Sequence, residues 1–454
     1  MVPDFLLVMR DSLSAWVDWA YLSVARQRVL PMSATALHRL ALMTWAMPPS
    51  TNAGVYRPLS FVRYAPSDRW AVSAVHADGP QTSSKAGLEL DAQWPAEVTR
   101  IRIKPSERKP SWRLFPQVDG GFATALELAK GAIGGLRANP PEVVLASGPP
   151  FCMFIAGAMV ADHFGAKLVL DYRDEWSECP FDFVSHGRDD RQWERACLKR
   201  ADAVIFTTES HRLHQIATFP VLKPANTHLI PNGWDSFIGA RQTVPSDNQE
   251  PDGATLVISH IGNVATHTPP DGLLSLVGRL VENYPVWRSR LRLSFVGGRS
   301  QAAQVKLDAF PYQDMLELVD HIPKSEADRR MREADILLLI AVEQLERYIP
   351  GKLFEYVAAR RPILLAGHPG EASRIIERLG VGSLVNPLDT AENFAGALQA
   401  LADLRRSMPS SVSGWLAEHR RSHLASQLYG VLDGLIGRFD EPPPKTVSAG
   451  APYL

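Results

Sequence analysis

Two rhythms of apolar residues alternate along this chain. Short continuous apolar runs come first, such as "ALHRLALMTW" at 36–45, "WAVSAVHA" at 70–77, "EVVLAS" at 142–147 and "AKLVLDY" at 166–172. Such runs predict strands covered on both faces, because only then does every side chain along the strand meet apolar neighbours. Between them lie segments with helical spacing: a helix through Leu59, Val62 and Tyr64, one over 121–137, an Ala/Gly-rich one at "FIAGAMVADHFG", and another over 192–201. Strands "ADAVIFTT" and "THLIPNG" close this first series, with a helix between them. The stretch Ser236 to Gly253, with "TVPSDNQEPDG", is polar and Pro-rich and reads as a linker.

The alternation then restarts. Strands are predicted at "ATLVISHIGN", "LRLSFVGG", "LELVDHI", "DILLLIAV", "PILLAG" and "VGSLVNP", with helices between and after them. A final helix is predicted over Val412 to Ile436. Strand–helix alternation of this kind gives α/β parallel sheets wound on both faces, here two Rossmann-like halves. Ligands of such sheets sit beyond the carboxyl ends of the strands, so two facing halves share one cleft. The Pro- and charge-rich stretch Lys104 to Pro116 reads as an exposed connection.

Length and composition narrow the setting. At 454 residues the chain suits two domains. A net charge of -1 gives no global field toward nucleic acid or an anionic membrane, so no nucleic-acid partner is expected. The three cysteines, Cys152, Cys179 and Cys197, show neither paired nor metal-binding spacing, which fits a reduced, cytoplasmic setting. Residues 3 to 27 read as an amphipathic helix through Leu6, Met9, Leu13, Trp16, Val17, Ala20 and Val24. Two positions stay open for it: packed on the protein, or lying peripherally at the inner face of a membrane. Met32 as the true start is a third reading. Asp4, Arg10 and Asp11 interrupt any signal-peptide core, and no apolar run is long enough to span a bilayer. The tail after Asp440, "EPPPKTVSAGAPYL", reads as disordered.

Candidate chemistry concentrates at Pro350-Gly351-Lys352-Leu353-Phe354-Glu355-Tyr356. Gly351 falls where a loop turns into a helix, and the free amides of a helix start bind phosphate with help from the macrodipole. Lys352 adds a point charge there. Glu355, one turn on, is placed to accept two hydroxyl hydrogen bonds from a ribose; an exposed surface glutamate is the plain alternative.

This stretch resembles the donor-binding motif of retaining family-four glycosyltransferases of the GT-B fold. Other landmarks match in order over roughly residues 36 to 436. "MPPSTNAGVYRPLSFVRYAP" resembles the N-terminal loop and helix near acceptor and donor phosphates. "SGPPFCMFIAGAMVADHFGAKLVLDYRDEW" resembles polysaccharide-assembly members. "ADAVIFTTES", "LIPNGWD", "SHIGN" and "LSFVGG" follow in the family's sequence, and "HIPKSEADRRMREADILLLI" resembles the segment whose backbone around Ile322 reads the base. "LAEHRRSHLASQLYGVLDGLI" resembles the C-terminal helix that crosses back.

The resemblance implies an acceptor domain over 36–240 completed by helix 412–436, and a donor domain over 254–411. The segment 1–35 is then an extension and 441–454 a tail. It implies transfer of a sugar, with retention, from a nucleoside diphosphate sugar to a carbohydrate or polyprenyl-linked hydroxyl in surface-polysaccharide assembly. No cofactor and no metal are expected, since no Asp-x-Asp or ligand cluster stands out. Glu355 is then the ribose ligand, with Leu353 in the same motif.

Departures matter. The family's second glutamate, eight residues before Glu355, is replaced by Arg347, with Glu346 beside it and Glu343 nearby; its role is either moved by one residue or absent, and Arg347 is itself a donor-binding candidate. No arginine–lysine clamp occurs in "GNVATHTPPDG"; Asn263, Thr266 and His267 stand there instead. A diphosphate needs cations in a low-dielectric cleft, so Lys352, Arg299 and Arg57 become the compensating candidates. Gly54 is the candidate for close backbone approach to phosphate, or a simple turn glycine. Arg173 and Asp174 end a strand at the cleft mouth, as catalytic candidates alongside Lys352 or as a structural pair. His368, in "AGHPGEA", is a candidate for donor contact or a solvated loop histidine. Competing readings are a GT-B shell that binds nucleotide sugar without turnover, and a sugar-nucleotide epimerase. A dinucleotide oxidoreductase is disfavoured, since no GxGxxG follows a first strand.

Overall fold

The computed structural model describes residues 37–77, 85–106, 115–235, 255–265 and 267–437, together with Leu13. The amphipathic helix over 3–27, the alternative start at Met32, the linker over 236–253, Thr266, most of the 104–116 connection and the tail lie outside the described residues.

The first lobe is a seven-stranded parallel sheet in the order β3-β2-β1-β4-β5-β6-β7. Its strands are β1 His38–Thr44, β2 Trp70–Ala77, β3 Thr99–Ile103, β4 Val143–Gly148, β5 Lys167–Tyr172, β6 Ala203–Phe206 and β7 Thr227–Leu229. The central strands are buried along nearly their whole length, as the continuous apolar runs require. The second lobe is a six-stranded parallel sheet, β10-β9-β8-β11-β12-β13. It comprises β8 Leu256–Ile261, β9 Leu291–Val296, β10 Leu316–Val319, β11 Ile336–Ala341, β12 Ile363–Gly367 and β13 Gly382–Val385. Each sheet reverses its strand order once, between β1 and β4 and between β8 and β11, and a ligand crevice belongs at such a reversal.

Two features differ from expectation. The pattern missed β3, "TRIRI", and the short helix α2, Lys85–Asp91, before it. β3 is an edge strand with alternating charge and only partial burial, so it lacks the continuous apolar run that marks the central strands. The final helix is also broken, into α14 Val412–Glu418 and α15 Arg421–Ile436. The chain between them pairs with Trp234: its N–H donates to His419 O (3.1 Å), and Arg421 N–H donates to Trp234 O (3.0 Å). Trp234 Nε1 also donates to Leu416 O at 2.8 Å. The interruption pins the crossover.

α15 docks on the first lobe. Leu424, Ala425, Leu428, Tyr429 and Leu432 are buried in one cluster with the helix α1, Tyr56–Arg63, and the strands β1 and β2. Tyr429 Oη donates to Phe61 O at 2.9 Å. Asp433 accepts from Trp70 Nε1 and Arg69 Nη1, both at 2.8 Å. Among the described residues no helix is long and apolar enough to cross a membrane. Because Leu428 is fully buried, Leu428→Ala should lower unfolding stability by about 2–5 kcal/mol in urea titrations; an unchanged midpoint would show that the crossover helix is only loosely docked.

Candidate functional site

The candidate site residues of the second lobe gather at the reversal point of its sheet. The helix after β11, α11 (Gly351–Ala358), buries Leu353, Phe354, Tyr356 and Val357 and leaves Lys352 and Glu355 partly open. That helical periodicity sends both polar side chains to one side. No side chain caps the first turn of α11, and Gly351 is exposed with open space on its Cβ side. Its amides therefore face the crevice with the positive end of the helix behind them.

Tyr356 ties α11 to the end of β8: Ile261 N–H donates to its hydroxyl at 2.9 Å. Lys352 Nζ lies 3.0 Å from His260 Nε2 and 3.3 Å from Asn263 O. Among the described residues no carboxylate sits within ion-pair distance of Nζ. Burial pushes the Lys352 ammonium down to about 8, with Glu355 opposing. Its stem crosses Gly262, which has φ +131; a Cβ there would stand 2.2 Å from Lys352 Cε.

Glu355 is half-buried. It pairs with Lys324 at 2.9 Å, and Lys324 in turn bonds the buried Asp328 at 2.5 Å. Burial works against the Lys324 charge, but Glu355 and Asp328 outweigh it and hold the ammonium above its usual range. Tyr56, from α1 of the first lobe, is raised by burial and also feels Lys324 and Glu355, which places it opposite them.

Several predicted site residues are engaged elsewhere. Arg299 donates to Gln304, to Gly297 O, to Val319 O and to Asp320; it braces the ends of β9 and β10 and presents no spare donor face to a diphosphate. Arg57 is buried against Asp171, with a shortest contact of 2.7 Å, and also donates to Pro231 O. Asn263 accepts from Gly298 N at 3.0 Å and joins two strand-end loops. Gly54 N–H donates to Asn52 Oδ1 at 3.1 Å, and Gly54 O accepts from Arg173 Nη1 at 2.8 Å, so neither group is free for phosphate in this form. Arg173 also donates to Gly148 O and Pro149 O, acting as a strut under the N-terminal loop. Ile322 is half-buried at the end of β10, and His368 is exposed after β12. Asp174 stands beside Arg173. Burial pushes its carboxyl up to about 6, Arg173 opposes the shift and Glu175 adds to it.

Arg347 takes an unexpected role. It reaches across to Glu175 of the first lobe with Nε at 2.6 Å and Nη2 at 2.9 Å. Glu175 is fully buried. Thr208 Oγ1 donates to Arg347 O at 2.6 Å, and Glu371 accepts from Ser210 N and Oγ, so three contacts clamp the lobes together. The sequence carried one sign of this: an arginine where a carboxylate is expected calls for a carboxylate elsewhere, and Glu175 follows Asp174. His260, Lys324 and Tyr56 carried no such sign. A crevice of 1090 Å³ also opens between the lobes beside Arg347, lined by Ser210, His214, Ser373 and Arg374, away from Lys352 and Glu355. Among the described residues no group of three or more His, Cys, Asp and Glu is placed to hold a metal ion.

Residues 20–233 match the family described as Glycosyl transferase 4-like domain. That match covers a little under half of the chain. D-inositol 3-phosphate glycosyltransferase of Kineococcus radiotolerans is 23% identical over 233 residues, 46% of this chain and 51% of that protein. The match thus spans about half the length of that curated relative. Among solved structures, sucrose-phosphate synthase from Thermosynechococcus elongatus aligns with a TM-score of 0.63 at 16% identity, over 88% of this chain and 99% of the other. The E. coli trehalose-6-phosphate protein bound with UDP-2-fluoro glucose aligns with a TM-score of 0.58 at 13% identity, over 87% and 98%. At these identities the likenesses establish the fold alone, the two-lobed GT-B architecture.

The Arg347–Glu175 pair predicts a large asymmetry. Arg347→Ala should cost about 3–5 kcal/mol in chemical unfolding, because it leaves a buried carboxylate without its cation. The double variant Glu175→Leu/Arg347→Met should recover most of that loss; a single variant as stable as the parent would show the clamp to be idle.

Proposed function

We propose that the protein is a glycosyltransferase that moves a sugar from a nucleoside diphosphate sugar to a hydroxyl acceptor. The observation that carries this reading is the Lys352 ammonium, held without a carboxylate partner at the uncapped start of α11 and one turn before Glu355. A half-buried cation lacking a carboxylate partner, next to unclaimed helix amides, fits a bound anion. Glu355 supplies a carboxylate for the two hydroxyls of a ribose, and a donor that bonds it would displace Lys324. The backbone at Ile322 lies at the neighbouring strand end, where a base would reach.

In the reaction, the acceptor oxygen bonds to the anomeric carbon as the bond to the diphosphate oxygen breaks. The acceptor proton passes to that leaving oxygen, and the α11 amides and Lys352 stabilise its charge. This route retains configuration without a protein base. Asp174 lies at the cleft mouth, where it would meet the transferred sugar or the acceptor. We take the acceptor to be a lipid-linked or oligosaccharide hydroxyl of a surface polysaccharide, on the strength of the ordered motifs shared with polysaccharide-assembly members. No metal is needed in this scheme.

A second reading, a shell that binds nucleotide sugar without turnover, is favoured by one observation. Arg347 stands in place of a glutamate, and its guanidinium is already committed to Glu175 and Glu346. Donor hydrolysis or transfer with purified protein separates the two. For the binding assignment, Glu355→Ala should weaken nucleoside diphosphate binding by about tenfold to a hundredfold, as expected for two hydrogen bonds to a charged acceptor. Binding by this variant at parental affinity would remove Glu355 from the site.

A further inference from the structure

The hydrogen-bond ladder of the second sheet stops at its reversal point. β8 and β11 pair through Ile258 with Ile336 and Ser259 with Leu337, and then part. Side chains fill the gap that follows: Tyr356 on the Ile261 main chain, and His260 beside it. His260 is buried. Its Nδ1 lies 3.1 Å from Leu338 O, and its Nε2 lies 3.0 Å from Lys352 Nζ. Asn263 O lies 3.3 Å from both Nε2 and Lys352 Nζ and takes its hydrogen bond from the ammonium. The Leu338 carbonyl can only accept and an ammonium can only donate, so Nδ1 carries the proton and Nε2 takes the lysine's shorter hydrogen bond. That arrangement requires a neutral ring. Burial, with Lys352 adding to it, pushes the imidazole down to about 3 and keeps it neutral.

We infer that His260 is a positioning residue for anion binding: it aims the Lys352 ammonium at the start of α11 through a neutral acceptor, orienting the charge without cancelling it. This rests on the diphosphate reading above and deepens it. A carboxylate at position 260 would hold the lysine equally well but would satisfy its charge, leaving little for a phosphate. Gly262 completes the cradle by leaving a path for the lysine stem.

The charged and titratable groups that face Lys352 are few. His260 comes from β8, His267 from the loop after β8, and Glu355 from its own helix. His267 is held low by burial and by Lys352, against the pull of Asp182. Glu355 is already held by Lys324. With its own pKa lowered to about 8, free Lys352 is largely charged at neutral pH and largely neutral well above 8. A bound anion favours the charged form, so binding above that pH must draw a proton onto the lysine.

The test compares the full-length parent with His260→Asn and His260→Gln. Each is titrated calorimetrically with UDP, GDP and ADP at neutral and mildly alkaline pH, in buffers of different ionisation enthalpy. Thermal unfolding of each ligand-free protein runs alongside. Asparagine keeps a donor toward Leu338 and offers no acceptor where Nε2 stands; glutamine carries its amide oxygen near Nε2. The parent should take up roughly one proton per diphosphate bound on the alkaline side of the lysine pKa, and little at neutral pH. His260→Asn should bind about tenfold more weakly at neutral pH. Its proton uptake should vanish, because water reaching Lys352 returns it toward its ordinary pKa of about 10.4. His260→Gln should retain affinity within roughly threefold of the parent.

His260→Asn matching the parent in affinity and proton uptake overturns the inference while the diphosphate reading stands. Equal losses in both variants that track their thermal midpoints also overturn it, since they mark a merely structural histidine. A parent that binds none of the three nucleotides overturns the diphosphate reading, and the inference with it.

Discussion

A half-buried lysine without a carboxylate partner sets the terms for the rest of this structure. Lys352 is held by an imidazole nitrogen and a carbonyl oxygen, both neutral. A charge removed from water normally takes a partner of opposite sign or gives up its proton. Here the lowered pKa shows part of the second response, and the uncapped helix start beside it supplies the setting for a partner that arrives from outside. The surrounding features follow from that arrangement. Gly262 lacks a side chain because the lysine stem passes over it, and His260 is neutral because it is buried. Tyr356 holds the helix at the strand end so that the lysine meets the crevice.

The lobes are brought to this point by a different interaction. Arg347 replaces a carboxylate that the family resemblance places near the donor sugar, and it spends its charge on Glu175 of the opposite lobe. Charge reversal at one position is thereby balanced across the cleft, and burial pushes the carboxyl of the neighbouring Asp174 up to about 6. The broken C-terminal helix works from the other end: Trp234 pins the crossover, and α15 packs Leu428 and Tyr429 onto the first lobe. The crossover, the Arg347–Glu175 ion pair and the hydrogen bonds of Thr208 and Ser210 keep two separately wound sheets facing each other.

Much of the fold was legible in the sequence, because strands buried on both faces are written as continuous apolar runs. The exceptions have physical reasons. "TRIRI" pairs on one side only and carries charges on its open face, so its pattern resembles a surface segment. The crossover helix has helical periodicity throughout, and its break comes from a distant partner, Trp234, that no local pattern reveals. The helix start at Gly351, with Lys352 and Glu355 on its open side, was legible because backbone geometry determines it. It was not legible where side chains compete for partners. Arg299 and Arg57 are cations near the right strands, yet carbonyls and carboxylates of their own lobes claim them. Lys324 and His260 became visible only when the strands placed them beside Glu355 and Lys352.

The most direct measurement is a crystal structure of the full chain soaked with UDP. The diphosphate should lie against the Gly351 and Lys352 amides with an oxygen on Lys352 Nζ, and the ribose hydroxyls should replace Lys324 on Glu355. A diphosphate seated on Arg299 or in the Arg374 crevice, with Glu355 still paired to Lys324, would contradict the proposed role of α11.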